Sequence, residues 1–216
     1  MFSFRINPEK VKHQNTSYLK SIGIDVIDHL PYIELNKFRS NEDVARRCLV
    51  MASLFQLSLG APNEFIENWL GENELLDCLT SHEQHILSSP FKEISEKEQK
   101  DLYWVIEAVW ALVWVGSKHN NLTFNTGVED TLAGMLPSFQ KNESGAQFIK
   151  KFKLRSTKEI FTKLDQFYRA HWYARNNQLV GKSNPVANID LIIERRKALE
   201  WVCNQDVNWD QISLDT

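Results

Sequence analysis

The chain has 216 residues, 43% of them apolar and 25% charged, with a formal net charge of −3. That profile fits an ordinary globular chain with one sizeable core, and its mild acidity excludes the basic stripe of a nucleic-acid binder. The most apolar run, Leu102 to Val115, is too short to cross a bilayer, which takes about 20 residues, so no membrane span is expected.

The opening MFSFRINPEK has no apolar core of the kind a secretory signal needs. Three cysteines, Cys48, Cys78 and Cys203, lie far apart without a CxxC pair, which suits reduced thiols in the cytoplasm. Residues 1–36 are read as a segment that packs on the body. The first clear helix carries Val44, Cys48, Met51, Phe55 and Leu59 on one face. Gly60 and Pro62 stop it and open NEFIENWL, which ends at Gly71. Thr80 and Glu83 form a capping box before TSHEQHIL, and Ser95 and Glu98 form another before LYWVIEAVWALVWVG. Apolar all round except for Glu107, this last stretch reads as the central helix of the core, over about 98–116, with Gly116 at its end.

Residues 117–141 are rich in Asn, Gly, Thr and Ser and read as a loop enclosing one short helix. The basic run KKFKLR (150–155) reads as a solvated turn before a helix that starts at Ser156 and carries Ile160, Leu164, Phe167 and His171. GKSNP (181–185) breaks it. A last long helix runs from about Asn188 to Cys203, and 204–216 is a C-terminal tail. No stretch alternates apolar and polar residues long enough for a strand. The expectation is an all-α, single-domain, irregular or orthogonal bundle of about eight to ten helices, spanning 1–216.

KLRSTKEI (153–160) repeats the pattern of KFRSNEDV (37–44). Ser40 with Asp43, and Ser156 with Glu159, each have capping-box spacing, with the acid where the helix dipole favours it. Capping leaves Arg39 and Arg155 unexplained, because a cation gains nothing at the start of its own helix. They are expected to reach carboxylates elsewhere, at Glu107, Asp210 or Asp215. The echo is read as one structural device used twice.

The stretches FRSNEDVARRCLVM, ENWLGENELLDCLTSHEQ, WVIEAVWALVWVG, LRSTKEIFTKLDQFYRAHWYAR, IIERRKALEWV and NWDQISLDT, in that order, resemble bacterial domain-of-unknown-function family 4272 over about residues 20–216. The resemblance implies a compact helical cytoplasmic domain and brings no activity, so it carries over no catalytic residue. Similar small helical proteins that sit beside bacterial toxins as neutralising partners supply an association only.

Charges are the most informative residues left. Asp165 and Arg169 stand i, i+4 with the acid first. Glu194, Arg195 and Arg196 interrupt an apolar helix, and Glu107 sits in the least polar one. Such charges are costly unless paired. With Arg39, Arg155 and Asp210 they are read as ion pairs that tie helices together. The alternative is one pocket in which the arginines bind a small anion. His171, near Asp165 or Glu107, is the candidate general base, with a packed core histidine as the preferred reading. Cys78, His82 and His85 have the spacing of one helical face but no evident fourth ligand, so no metal site is expected. Neither a nucleophile elbow nor a phosphate loop is present, and no cofactor is expected. The function that follows is a non-catalytic protein–protein interaction, immunity-like in its neutralising form, through an exposed patch centred on Trp69 or Tyr103. The alternative is a small-anion-binding enzyme or sensor.

Overall fold

The computed structural model describes residues 6–182 and 185–216. The first five residues of the opening stretch and two residues of the 181–185 break lie outside the described residues. Among the described residues the protein is an all-α bundle without strands. Its α-helices are α1 (Pro8–Ser21), α2 (Asn41–Ser58), α3 (Asn63–Glu72), α4 (Ser81–Ser88), α5 (Glu96–Val115), α6 (Ala146–Lys151), α7 (Thr157–Leu179) and α8 (Ile189–Cys203). Four short 3-10 helices lie between and after them, at Leu76–Cys78, Asp130–Met135, Phe139–Lys141 and Trp209–Gln211. Among the described residues no helix is long and apolar enough to cross a membrane.

All four capping boxes read from the sequence are formed, at the starts of α2, α4, α5 and α7. The central helix is also where it was expected. Every residue from Glu107 to Val115 is buried, because α5 packs between α2 and α8. α7 then covers the other side of α8, and α1 covers α7. On the opposite flank α3 and α6 lie on α2, and α4 lies on α3.

The structure departs from expectation at several points, the first being that the loop at 117–141 holds two 3-10 helices, Asp130–Met135 and Phe139–Lys141, in place of one short helix. Residues 1–36 contain a regular helix, α1, which starts on an Asn7 cap and Pro8. The basic run 150–155 is not simply solvated: Phe152 is buried with its ring against Gly116, where any Cβ would collide with it. Gly116 is therefore needed for close approach and not for its backbone, since its φ is −76°. The left-handed turn that ends α5 falls instead on Ser117, at φ 59°. There Lys118 N–H donates back to Val113 O at 3.0 Å, the bond that closes a helix end of this type.

Candidate functional site

The two arginines that capping left unexplained do the same thing at two helix ends. Arg39 N–H donates to Val202 O at 3.0 Å, and its Nε donates to Trp201 O at 2.9 Å. Arg155 N–H donates to Val115 O at 2.8 Å, and its Nε donates to Trp114 O at 2.7 Å. Each guanidinium also lies over the tryptophan whose carbonyl it takes, 3.9 Å from the Trp201 centroid and 4.6 Å from that of Trp114. A third bond goes to a carbonyl just beyond the helix, Val207 O for Arg39 and His119 O for Arg155. The cation thus caps the C-terminal, electronegative end of another helix while the following serine opens its own. The expected partners were wrong: neither arginine reaches Glu107, Asp210 or the Asp215 carboxylate.

Glu107 instead belongs to Arg195. The carboxylate Oε2 accepts from Arg195 Nε at 2.9 Å and from a second guanidinium nitrogen at 2.5 Å. Arg195 also donates to Thr123 O and Thr126 O, both at 2.8 Å, so this pair pins the loop after α5 to α5 and α8. Asp165 receives Arg169 through two bonds of 2.8 and 2.9 Å and Asn15 at 2.9 Å. Arg169 donates onward to Pro31 O at 2.9 Å. Together these bonds tie α1 and residue 31 to α7. Arg196 contacts Glu200, the His171 ring and the carbonyls of Leu214 and Asp215, which fixes the C-terminal tail. The sequence reading missed a fourth buried pair, Arg47 with Glu83. The only sign of it in the sequence is that Glu83 already had a role, as the box acid of α4.

Arg39 and Arg47 border one pocket, which Asp77 and Asp210 also line, while Arg155, Arg169, Arg195 and Arg196 bond to acceptors on separate segments of the protein. Arg47 Nε and one Arg169 guanidinium nitrogen have no acceptor among the described residues. His171 is buried, with Nδ1 2.8 Å from Arg196. Burial, with Arg196 and Arg175 adding to it, pushes its pKa down to about 4. Asp165 is bonded to Arg169 and Glu107 to Arg195, so no base–carboxylate pair forms around His171. Cys78 sits in a 3-10 turn ahead of α4 and accepts from Arg46 Nε at 3.3 Å, while His82 and His85 are exposed on α4. Cys78 therefore does not share their helical face. Among the described residues no three such side chains could hold a metal ion. Trp69 is buried and donates to Glu143 O, so it cannot centre a surface patch. Tyr103 is 56% exposed and stands beside Phe55 and Trp104.

One of the concave features among the described residues is a cleft of about 280 Å³ between α4, α5, α8 and the C-terminal turn. Leu54, Ile86, Leu102 and Trp209 supply apolar surface, and Glu98, Asp101, Glu194 and Asp210 bring carboxyl groups. Glu194 is partly buried and has no hydrogen-bond or ion-pair partner among the described residues. Lys197, one turn along α8, is held over the Trp209 ring, 4.9 Å from its centroid. Burial pushes the Glu194 carboxyl up to about 7; Lys197 opposes this, and Asp101 and Glu107 add to it.

The profile of one known family, Domain of unknown function (DUF4272), matches residues 11–212. The chain belongs to that family. No curated protein and no solved structure matches it. The match covers every α-helix from within α1 onward, and so takes in both arginine caps, the four ion pairs and all of the cleft lining except Leu214 in this DUF4272 chain.

Proposed function

We propose that the protein is a non-catalytic binding module. Its cleft between α4, α5 and α8 receives a lysine or arginine side chain carried on an apolar segment of a partner protein. Glu194 is the observation that carries this reading. A carboxyl group on an apolar wall, with no partner of its own and its ionised form disfavoured, gains most from a cation brought in from outside. The apolar lining takes the aliphatic stem of such a side chain, and Glu98, Asp101 and Asp210 set the sign of the field at the mouth. Tyr103, next to Leu102 on α5, gives the surface an exposed aromatic anchor of the type interfaces favour. Three free cysteines, two of them buried, suit a reducing compartment such as the cytoplasm. In the neutralising form of this reading, the partner's own activity falls on binding.

The test compares capture from the native lysate by the wild-type chain, Glu194→Gln, Asp101→Lys and Tyr103→Ala. The reading expects one stoichiometric basic protein, held by the wild type and released by Asp101→Lys. Its affinity should fall about tenfold or more in Glu194→Gln, the scale of one lost charge-assisted contact. Equal capture by all four chains, or no stoichiometric partner, overturns it.

A further inference from the structure

On a separate face, the end of α1, the loop 120–125 and α7 border an open pocket of about 370 Å³, whose polar lining is Tyr18, Asn120, Asn121, Thr123, Asn125 and Lys163 beside apolar residues such as Ile22 and Phe124. We propose that this pocket binds a small oxyanion, a carboxylate or phosphate group on a metabolite, with Lys163 as the cation that receives it. The inference goes beyond the cleft reading and does not depend on it.

The buried arginines show what this fold does with a cation that leaves water. Arg47, Arg169, Arg195 and Arg196 each have a carboxylate within ion-pair distance. Lys163 has none. Among the described residues it has no hydrogen-bond or ion-pair partner, and it faces the rings of Trp114 and Phe124, 5.7 and 6.0 Å from their centroids. The charge that acts on it is Arg155, of the same sign. Burial pulls its pKa down to about 8, Arg155 pulls the same way, and no carboxylate opposes them. A half-hidden ammonium beside a second cation is the electrostatic inverse of an ion pair, and an anion is what would balance it.

The surrounding groups have the matching hydrogen-bond character. The Tyr18 hydroxyl and the Asn121 side-chain amide have no hydrogen-bond partner among the described residues. The Asn120 carbonyl oxygen faces Arg155 at 3.4 Å, which leaves its amide hydrogens available. Hydroxyl and amide donors around one ammonium suit an oxyanion that also carries polar substituents. Arg155 is committed to carbonyls by its helix-capping role, so it contributes field rather than a direct bond.

The test is thermal denaturation at constant ionic strength with sodium orthophosphate, pyrophosphate, oxalate and succinate, against sodium chloride. At least one of these should raise Tm saturably in the wild type. Lys163→Met should weaken that binding by about tenfold to a hundredfold, the range for losing one charged hydrogen-bond partner. Lys163→Arg, which keeps the cation, should lose far less. A second measurement needs no variant: the bound anion should shield Lys163 from acetic anhydride, with the other lysines as internal controls in the peptide mass map. If no probe gives a saturable shift, if Lys163→Met responds like the wild type, or if Lys163 is acetylated equally with and without the anion, the site does not exist. If phosphate probes bind and carboxylates do not, or the reverse, the oxyanion class is fixed.

Discussion

Glu107→Leu separates a structural ion pair from a functional one. The carboxylate and Arg195 are both buried, and removing the acid leaves the guanidinium with two carbonyls, Thr123 O and Thr126 O, and no countercharge. Breaking a buried pair from one side costs about 3–5 kcal/mol. For a chain of this length each kcal/mol moves Tm by about 2–4 °C, so a fall of about 6–20 °C is expected. Arg195→Met alone is also destabilising, because it strands Glu107 and frees the carbonyls of the loop at 123–126. The double variant Glu107→Leu/Arg195→Met removes both charges. It should be more stable than the sum of the two single losses implies, with a coupling of about 2 kcal/mol within the usual range for contacting residues. Urea denaturation of the four proteins closes the cycle. Losses that add to within about 0.5 kcal/mol would mean the two groups do not depend on each other, and the reading of α5–α8 as locked by this pair would fail.

If Arg39 and Arg155 are one device used twice, Arg39→Lys and Arg155→Lys should cost similar amounts. About 1–2 kcal/mol each is expected, since an ammonium can replace one of the forked bonds but not the set; a loss at one site only would refute the equivalence. At the end of α5, Ser117→Gly should raise stability by about 0.5–1 kcal/mol by relieving a left-handed non-glycine. Gly116→Ala should lower it by about 1–3 kcal/mol through the clash with Phe152; both are read from urea midpoints. His171 gives a pH signature with a defined sign, because its pKa is about 4 in the fold against an ordinary 6.5. Above pH 6.5 it is neutral in both states and contributes nothing. Below that the unfolded chain takes a proton the fold refuses, so stability falls by up to about 3 kcal/mol between pH 6.5 and 4. His171→Gln should flatten that limb in denaturation curves taken at pH 7 and 4.5.

What the sequence made legible was local. A serine or threonine three residues before an acid is a complete physical statement, and each such pair singled out, at Ser40, Thr80, Ser95 and Ser156, caps a helix. The apolar run of α5 was legible for the same reason, since no other environment suits it. α1 was not, because its buried face is half polar: Val11 and Leu19 alternate with Asn15 and Thr16. Asn15 is tolerated there only because Asp165 and Thr162 O, on a helix far along the chain, satisfy its amide, and no periodicity can show that. Charge partners were opaque on the same ground. Glu107 and Arg195 were both visible as costly residues, yet nothing nearby in the chain joined them. One long-range signal was available: each Arg-Ser echo has its counterpart in a Trp-Val pair, at 114–115 and 201–202, and these are the helix ends the arginines cap. The exposed Tyr103 and the buried Trp69 differ in surroundings that only the tertiary packing supplies.

The buried charges divide into two kinds, and the division bears on function. Arg47, Arg169, Arg195 and Arg196 have internal acceptors, and they join α2 to α4, α7 to α1 and residue 31, α5 and α8 to the loop after α5, and α8 to the tail. Such groups contribute specificity of arrangement, and their removal should show in stability. Among the described residues Glu194 has no donor and Lys163 no acceptor. They are partly hidden from water, carry opposite signs, lie in different concavities, and are each held away from their usual pKa by burial. A fold gains nothing in stability from a charge kept in that condition; Glu194→Gln and Lys163→Met should leave stability unchanged or raise it. That is the reverse of the effect expected at Glu107, and it is why the unpaired groups, rather than the larger arginine network, point to what the protein binds.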